Sequence, residues 1–100
     1  MLQHEWRRTG EGKQGGGTTS GMGISINWQH GLCGPEMDQN GAFVEDVIAS
    51  ARARLEFFQD GELKCQENDT AIRYLTAAIE VLEQRTKKRV DRGVAGTYQP

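Results

Sequence analysis

The sequence predicts an α+β chain in which a short N-terminal β element precedes an antiparallel αα-hairpin, and the whole is oligomeric. Three observations lead there. Residues 24–29, Ile-Ser-Ile-Asn-Trp-Gln, alternate apolar and polar side chains, the period of a half-buried strand. Two later stretches place apolar residues at three- and four-residue steps, the period of a helix face. Between them Asp60-Gly61 leaves room for only a short connection, and helices joined that tightly lie antiparallel.

Taken in order, residues 1–23 read as a flexible Gly-rich leader, or as residues upstream of a start at Met22. Seven glycines fall between Gly10 and Gly23, among Thr, Ser, Gln and Lys. Such a stretch has little apolar surface to offset the entropy of ordering it. The folded part, a strand plus a helical hairpin, is expected over residues 24–100. Ile24, Ile26 and Trp28 share one face of the strand, which needs a partner from the following loop or from another subunit. His30 to Asn40 is a loop, with Gly31, Gly34 and Pro35 as turn formers. Asn40 is the expected N-cap of the first helix. Phe43, Val44, Val47, Ile48, Ala51, Leu55 and Phe58 form its stripe to about Gln59, and Glu45 and Asp46 sit where acids suit the helix dipole. The second helix begins between Cys65 and Asn68. Ile72, Leu75, Ile79 and Leu82 form its face, and no proline or glycine interrupts residues 67–92. Its length is on the order of 35–40 Å. Gly93 stands where a left-handed C-cap residue is wanted. A helix of that length cannot bury its own apolar face, so other copies of the chain are expected to help.

One hundred residues bound the chain to one domain and a modest core, for which oligomerisation is a common completion. The net charge is -2, but it is unevenly placed. Residues 36–70 hold nine acidic and three basic side chains, whereas residues 84–92 hold five basic and one acidic. A basic pole on an acidic protein suits a compact anion better than a long nucleic acid. The plainer reading is cations complementing a helix C-terminus. No apolar run has signal-peptide or transmembrane length, so the expected compartment is the cytoplasm, with Cys33 and Cys65 as free thiols. His30, Cys33 and Cys65 lack the second close pair of a zinc site, and no metal or cofactor is expected.

No catalytic constellation is present: there is no nucleophile elbow, phosphate loop or dinucleotide fingerprint. The candidate chemistry is binding. Arg85 and Arg89 are one turn apart at the edge of the apolar stripe, with Arg92 beyond, and a guanidinium there presents its fork to a phosphate. Phe58 and Asn68 flank the interhelical turn. An aromatic face stacks on a base, and an amide pairs with a base edge or ribose hydroxyl. Each has a plainer alternative: Phe58 is in phase with the core, Asn68 caps a helix, and Arg85 pairs with an acid. Arg85 is also about 25 Å along the helix from Asn68, so one subunit cannot close both around one small molecule. A shared site would lie between subunits.

The segments NGAFVEDVI, RLEFFQ, CQEN, AIRYLTAAIEVLEQRT and RGVAGTY resemble the helical hairpin shared by two groups of phage anti-defence sponges. These are the anti-Thoeris signal-sequestering proteins of the first type and the anti-CBASS cyclic-nucleotide sponges. The specific part follows C-x-E-N, then R-T-x-x-R, then R-G-V-x-G-T, and the resemblance covers roughly residues 24–100. It implies a non-enzymatic protein of the infected bacterium's cytoplasm that binds a cyclic nucleotide immune signal, a cyclic ADP-ribose isomer or a cyclic oligonucleotide, without cleaving it. It further implies a homo-oligomer, expected to be a hexamer, with pockets between subunits. The family's ligand residues match Phe58, Asn68 and Arg85, with Arg89 as the second Arg of the motif. Trp28 and Gln29 are further candidates from the N-terminal half, which looks shorter and less sheet-like than a full anti-Thoeris member. Ala95 and Tyr98 stand where members often carry Glu and His. The competing expectations are an oligomerising hairpin with no small-molecule ligand, and a small nucleic-acid binder using the basic pole.

Overall fold

The computed structural model describes residues 1–30, 39–91 and 93. Five elements follow one another: β1 (Gln3–Arg8), β2 (Gln14–Gly21), β3 (Ile24–Trp28), α1 (Val44–Gln59) and α2 (Gln66–Asp91). They fall into two compact units, one holding the strands and the chain to Phe43, the other running from Val44 to Arg92.

The first unit corrects the reading of residues 1–23. In place of a flexible leader there are two strands, and β2 is the centre of a three-stranded antiparallel sheet ordered β1-β2-β3. The partner that β3 needs is therefore β2, from this same chain. The glycines that argue for disorder have a structural use. Gly17 faces Trp6 across one side and Trp28 across the other. The two indoles lie with ring centroids 6.5 Å apart. His4 stacks on Trp6 at 5.0 Å and 10°. Gly17 has φ 152, and a Cβ there would overlap the carbonyl oxygen of Glu5. Small residues in the centre strand thus admit large aromatic side chains from both neighbours. Thr19 is buried, and its hydroxyl accepts a hydrogen bond from Trp28 Nε1 at 2.8 Å and meets His4 Nδ1 at 2.9 Å. The expected face holds, with Ile24, Ile26 and Trp28 half-buried and Ser25 and Asn27 exposed.

A second correction concerns Asn40. Its side chain does not cap α1, which starts four residues later at Val44. It accepts from the His30 amide at 2.8 Å and donates to the His30 carbonyl at 2.9 Å. The Gln29 side chain accepts from the Asn40 and Gly41 amides in return. Ala42 then bridges Trp28 in parallel, bonded to Asn27 and Gln29. An amide side chain competes well for nearby backbone groups outside a helix, and here a strand end was the nearer partner. Most of the expected loop, residues 31–38, lies outside the described residues.

In the second unit, α1 carries Glu45 and Asp46 in its first turn and α2 ends with Lys88 and Arg89 in its last, as the charge pattern predicts. Gly93, just beyond, has the positive φ of a stop residue, 71°. Arg52 on α1 reaches the Thr76 hydroxyl at 3.4 Å, and Gln59 binds Cys65, so the helices run antiparallel. The core is thin. Ile79 is the buried apolar residue among those described, with Val47, Ile48, Leu55, Phe58, Ile72, Leu75 and Leu82 half-buried. Ala51, expected in the stripe, is exposed. Phe57, Leu63, Tyr74 and Val81 remain more than 60% exposed.

The tip of the hairpin is closed by polar groups. The Gln59 side chain donates to the Cys65 carbonyl at 3.0 Å and accepts from the Cys65 amide at 3.0 Å and from Asn68 Nδ2 at 3.1 Å. The same Asn68 nitrogen donates to the Leu63 carbonyl at 3.0 Å. Asp60 and Gly61 amides bond back to Phe57 and Phe58, finishing α1 with three-residue turns.

Gly17→Ala is expected to destabilise the sheet by about 1–3 kcal/mol through clash and backbone strain. Gly10→Ala, where a Cβ meets nothing within 4 Å, should be close to neutral. Thermal unfolding followed by tryptophan fluorescence separates the two. Gln59→Ala is expected to cost about 1 kcal/mol and to speed amide exchange at Cys65 in hydrogen-exchange measurements.

Candidate functional site

α1 ends in the run Arg54 to Gln59, and its helical spacing decides what meets at the tip. Positions three and four apart share a face, so Arg54 faces Phe57 and Phe58. The Arg54 guanidinium carbon lies 4.9 Å from the Phe58 ring centroid and 5.4 Å from that of Phe57. The two rings are tilted by 48° with centroids 6.4 Å apart, so the cation rests in the notch between them. Attraction between a cation and a ring's negative face operates within about 6 Å. These three residues, with Asp60, Gly61, Glu62 and Leu63 of the turn, line an open cleft of about 350 Å³.

Phe58 is half-buried and lines that cleft. Asn68 is half-buried too, next to the tip through its bond to Gln59. It caps no helix. Its amide nitrogen holds the turn through its bonds to Gln59 and the Leu63 carbonyl. Arg85 is exposed and has no acid within ion-pair distance among the described residues. Arg89 is half-buried. Both arginines lie near the far end of α2. The hairpin therefore gathers Phe58 and Asn68, and keeps Arg85 about 25 Å from Asn68, as its rise per residue demands.

Trp28 and Gln29 belong to the sheet unit. There Trp28 donates to Thr19, and Gln29 accepts from two backbone amides. Among the described residues no group of three or more metal-capable side chains gathers; Cys33 and the tail from Ala95 to Tyr98 lie outside them. Cys65 is a free, exposed thiol. No helix among the described residues is long and apolar enough to cross a membrane.

Three tip residues escaped the sequence reading. Arg54, Phe57 and Leu63 line the cleft, yet Phe57 and Leu63 stand off the apolar stripe and nothing in that stripe singles out Arg54. The spacing of Arg54 to the Phe57-Phe58 pair was the available signal.

The Acb2/Tad1 hairpin domain matches residues 23–87, which takes in β3, α1 and most of α2 and stops short of β1 and β2. The chain is also similar to "Thoeris anti-defense 1" of Bacillus phage SBSphiJ7. The two are 40% identical over 80 residues, which cover 80% of this chain and 56% of that protein. The chain thus spans little more than half the length of this curated relative. With a match over more than half of its residues, the chain belongs to the Acb2/Tad1 hairpin-domain family.

Proposed function

We propose that the chain is a phage anti-defence protein of the anti-Thoeris type that binds a cyclic nucleotide immune signal and holds it away from its effector without cleaving it. The observation that carries this reading is the open cleft at the hairpin tip, lined by two aromatic rings and a guanidinium, with Asn68 bonded to Gln59 and to the Leu63 carbonyl at the same tip. Rings supply a stacking surface for a base, and a guanidinium supplies a fork for a phosphate. Membership of the hairpin family and the similarity to a Thoeris anti-defence protein support the choice of ligand class.

In this reading Phe58 stacks on the base and the Asn68 carbonyl oxygen takes a hydrogen bond from a base edge or ribose hydroxyl. Arg85 and Arg89 of a neighbouring copy hold the phosphates. The distance along α2 supports the intersubunit arrangement, because no single hairpin brings its own Arg85 to its own tip. The exposed Tyr74, Val81 and Phe57 support assembly, since a free hairpin would leave them in water. A hexamer in the cytoplasm of the infected cell is the proposed working form. The signal is a cyclic ADP-ribose isomer, with cyclic oligonucleotides as a second class.

Binding without chemistry has a direct check. A cyclic ADP-ribose isomer mixed with excess protein is expected to vanish from the free pool and to return intact, by mass spectrometry, after heat denaturation. Recovery of a linear or cleaved product would make the protein an enzyme. Phe58→Ala and Arg85→Ala are each expected to weaken binding about 10- to 100-fold in calorimetry, the loss of a stacked base or of a charged hydrogen bond. Co-expressing the two variants should restore a minority of sites, because some mixed pockets then contain both native residues. No recovery on mixing would place the two residues in one subunit's site or in none.

A further inference from the structure

We propose that Arg54 is a direct ligand contact of the hairpin tip, presenting its N–H edge to a phosphate of the nucleotide that Phe58 receives. This inference rests on the functional reading above and adds a residue and a charge to it.

The contrast with Arg52, two positions earlier on the same helix, identifies the role. Arg52 is engaged by the protein: its Nε lies 3.7 Å from Glu56 and another guanidinium nitrogen lies 3.4 Å from the Thr76 hydroxyl. Arg54 instead sets its guanidinium carbon over the two phenylalanine rings, and it makes no ion pair among the described residues. Asp60 and Glu62 line the same cleft, yet neither comes within ion-pair distance of it. No hydrogen bond from its five N–H groups reaches an acceptor among the described residues. A guanidinium held against rings by cation–π attraction has less freedom to lose when its fork engages an anion. The cleft therefore combines an aromatic wall with an oriented and unspent cation, the complement of a base joined to a phosphate. It also places a positive charge in the same subunit as Phe58 and Asn68, where Arg85 of that subunit cannot reach.

The test is calorimetric titration of the full chain with cyclic ADP-ribose isomers, a cyclic trinucleotide and, as an uncharged control, adenosine. Arg54→Ala is expected to weaken the phosphorylated probes about 10- to 100-fold while changing adenosine little. Arg54→Lys keeps the charge but loses the planar fork, and is expected to stay about tenfold weak. Both variants should retain the circular dichroism spectrum and assembly state of the parent. If Arg54→Ala binds as tightly as the parent or tighter, while Phe58→Ala and Arg85→Ala lose the probe, Arg54 only covers the rings and this inference fails alone. If the parent takes up no probe, the functional reading fails and this inference falls with it.

Discussion

The mismatch between the two helices governs much of this molecule. α1 has 16 residues and α2 has 26, so α2 outruns its partner by about 15 Å at 1.5 Å per residue. Because the helices are pinned at the Gln59 clasp, the whole surplus falls at the C-terminal end of α2. That surplus carries Arg85, Lys87, Lys88 and Arg89. Charge is concentrated where α1 gives no cover, and apolar contact where it does. The two halves of the proposed site are thereby set apart by a length rather than by a loop, and a length cannot relax to bring them together. In the proposed reading, assembly joins them.

Burial does little to fix the tip. Leu63 and Phe57 are exposed there, and the turn is held by the amide side chains of Gln59 and Asn68. A polar clasp of this kind leaves Phe57 largely exposed, with both rings against the Arg54 guanidinium. The sheet uses the opposite arrangement. Its aromatic residues pack on one another over glycine and threonine, and Thr19 satisfies the polar atoms of two of them at once.

The hairpin was legible because helical period, acid-first and base-last charge, and an Asp-Gly break all agree over residues 43–92. Ile79 falls at the buried centre of the stripe that the spacing marks. The strand at 24–28 was legible for the same reason, its alternation being intact. β1 and β2 were not. A strand of Gln, Gly, Thr and Ser has no apolar period, and its order comes from side chains that belong to its neighbours. Trp6, within the stretch read as a flexible leader, pairs across the sheet with Gly17, and no local rule pairs residues 11 positions apart through a turn. Asn40 was misplaced by another non-local contact, since its partner His30 lies ten residues upstream. At the tip, Phe58 and Asn68 were located by their place beside the turn, whereas Arg54 needed the ring geometry to distinguish it from Arg52.

The Gly17 crossing has a spectroscopic consequence. The chain contains two tryptophans, Trp6 and Trp28, and both stand beside that glycine in the sheet. The helical hairpin contains neither. Indole emission therefore reports on the sheet alone, while far-ultraviolet ellipticity is dominated by α1 and α2. Comparing the two signals through one melt tells whether the sheet and the hairpin come apart as a single cooperative body or as two.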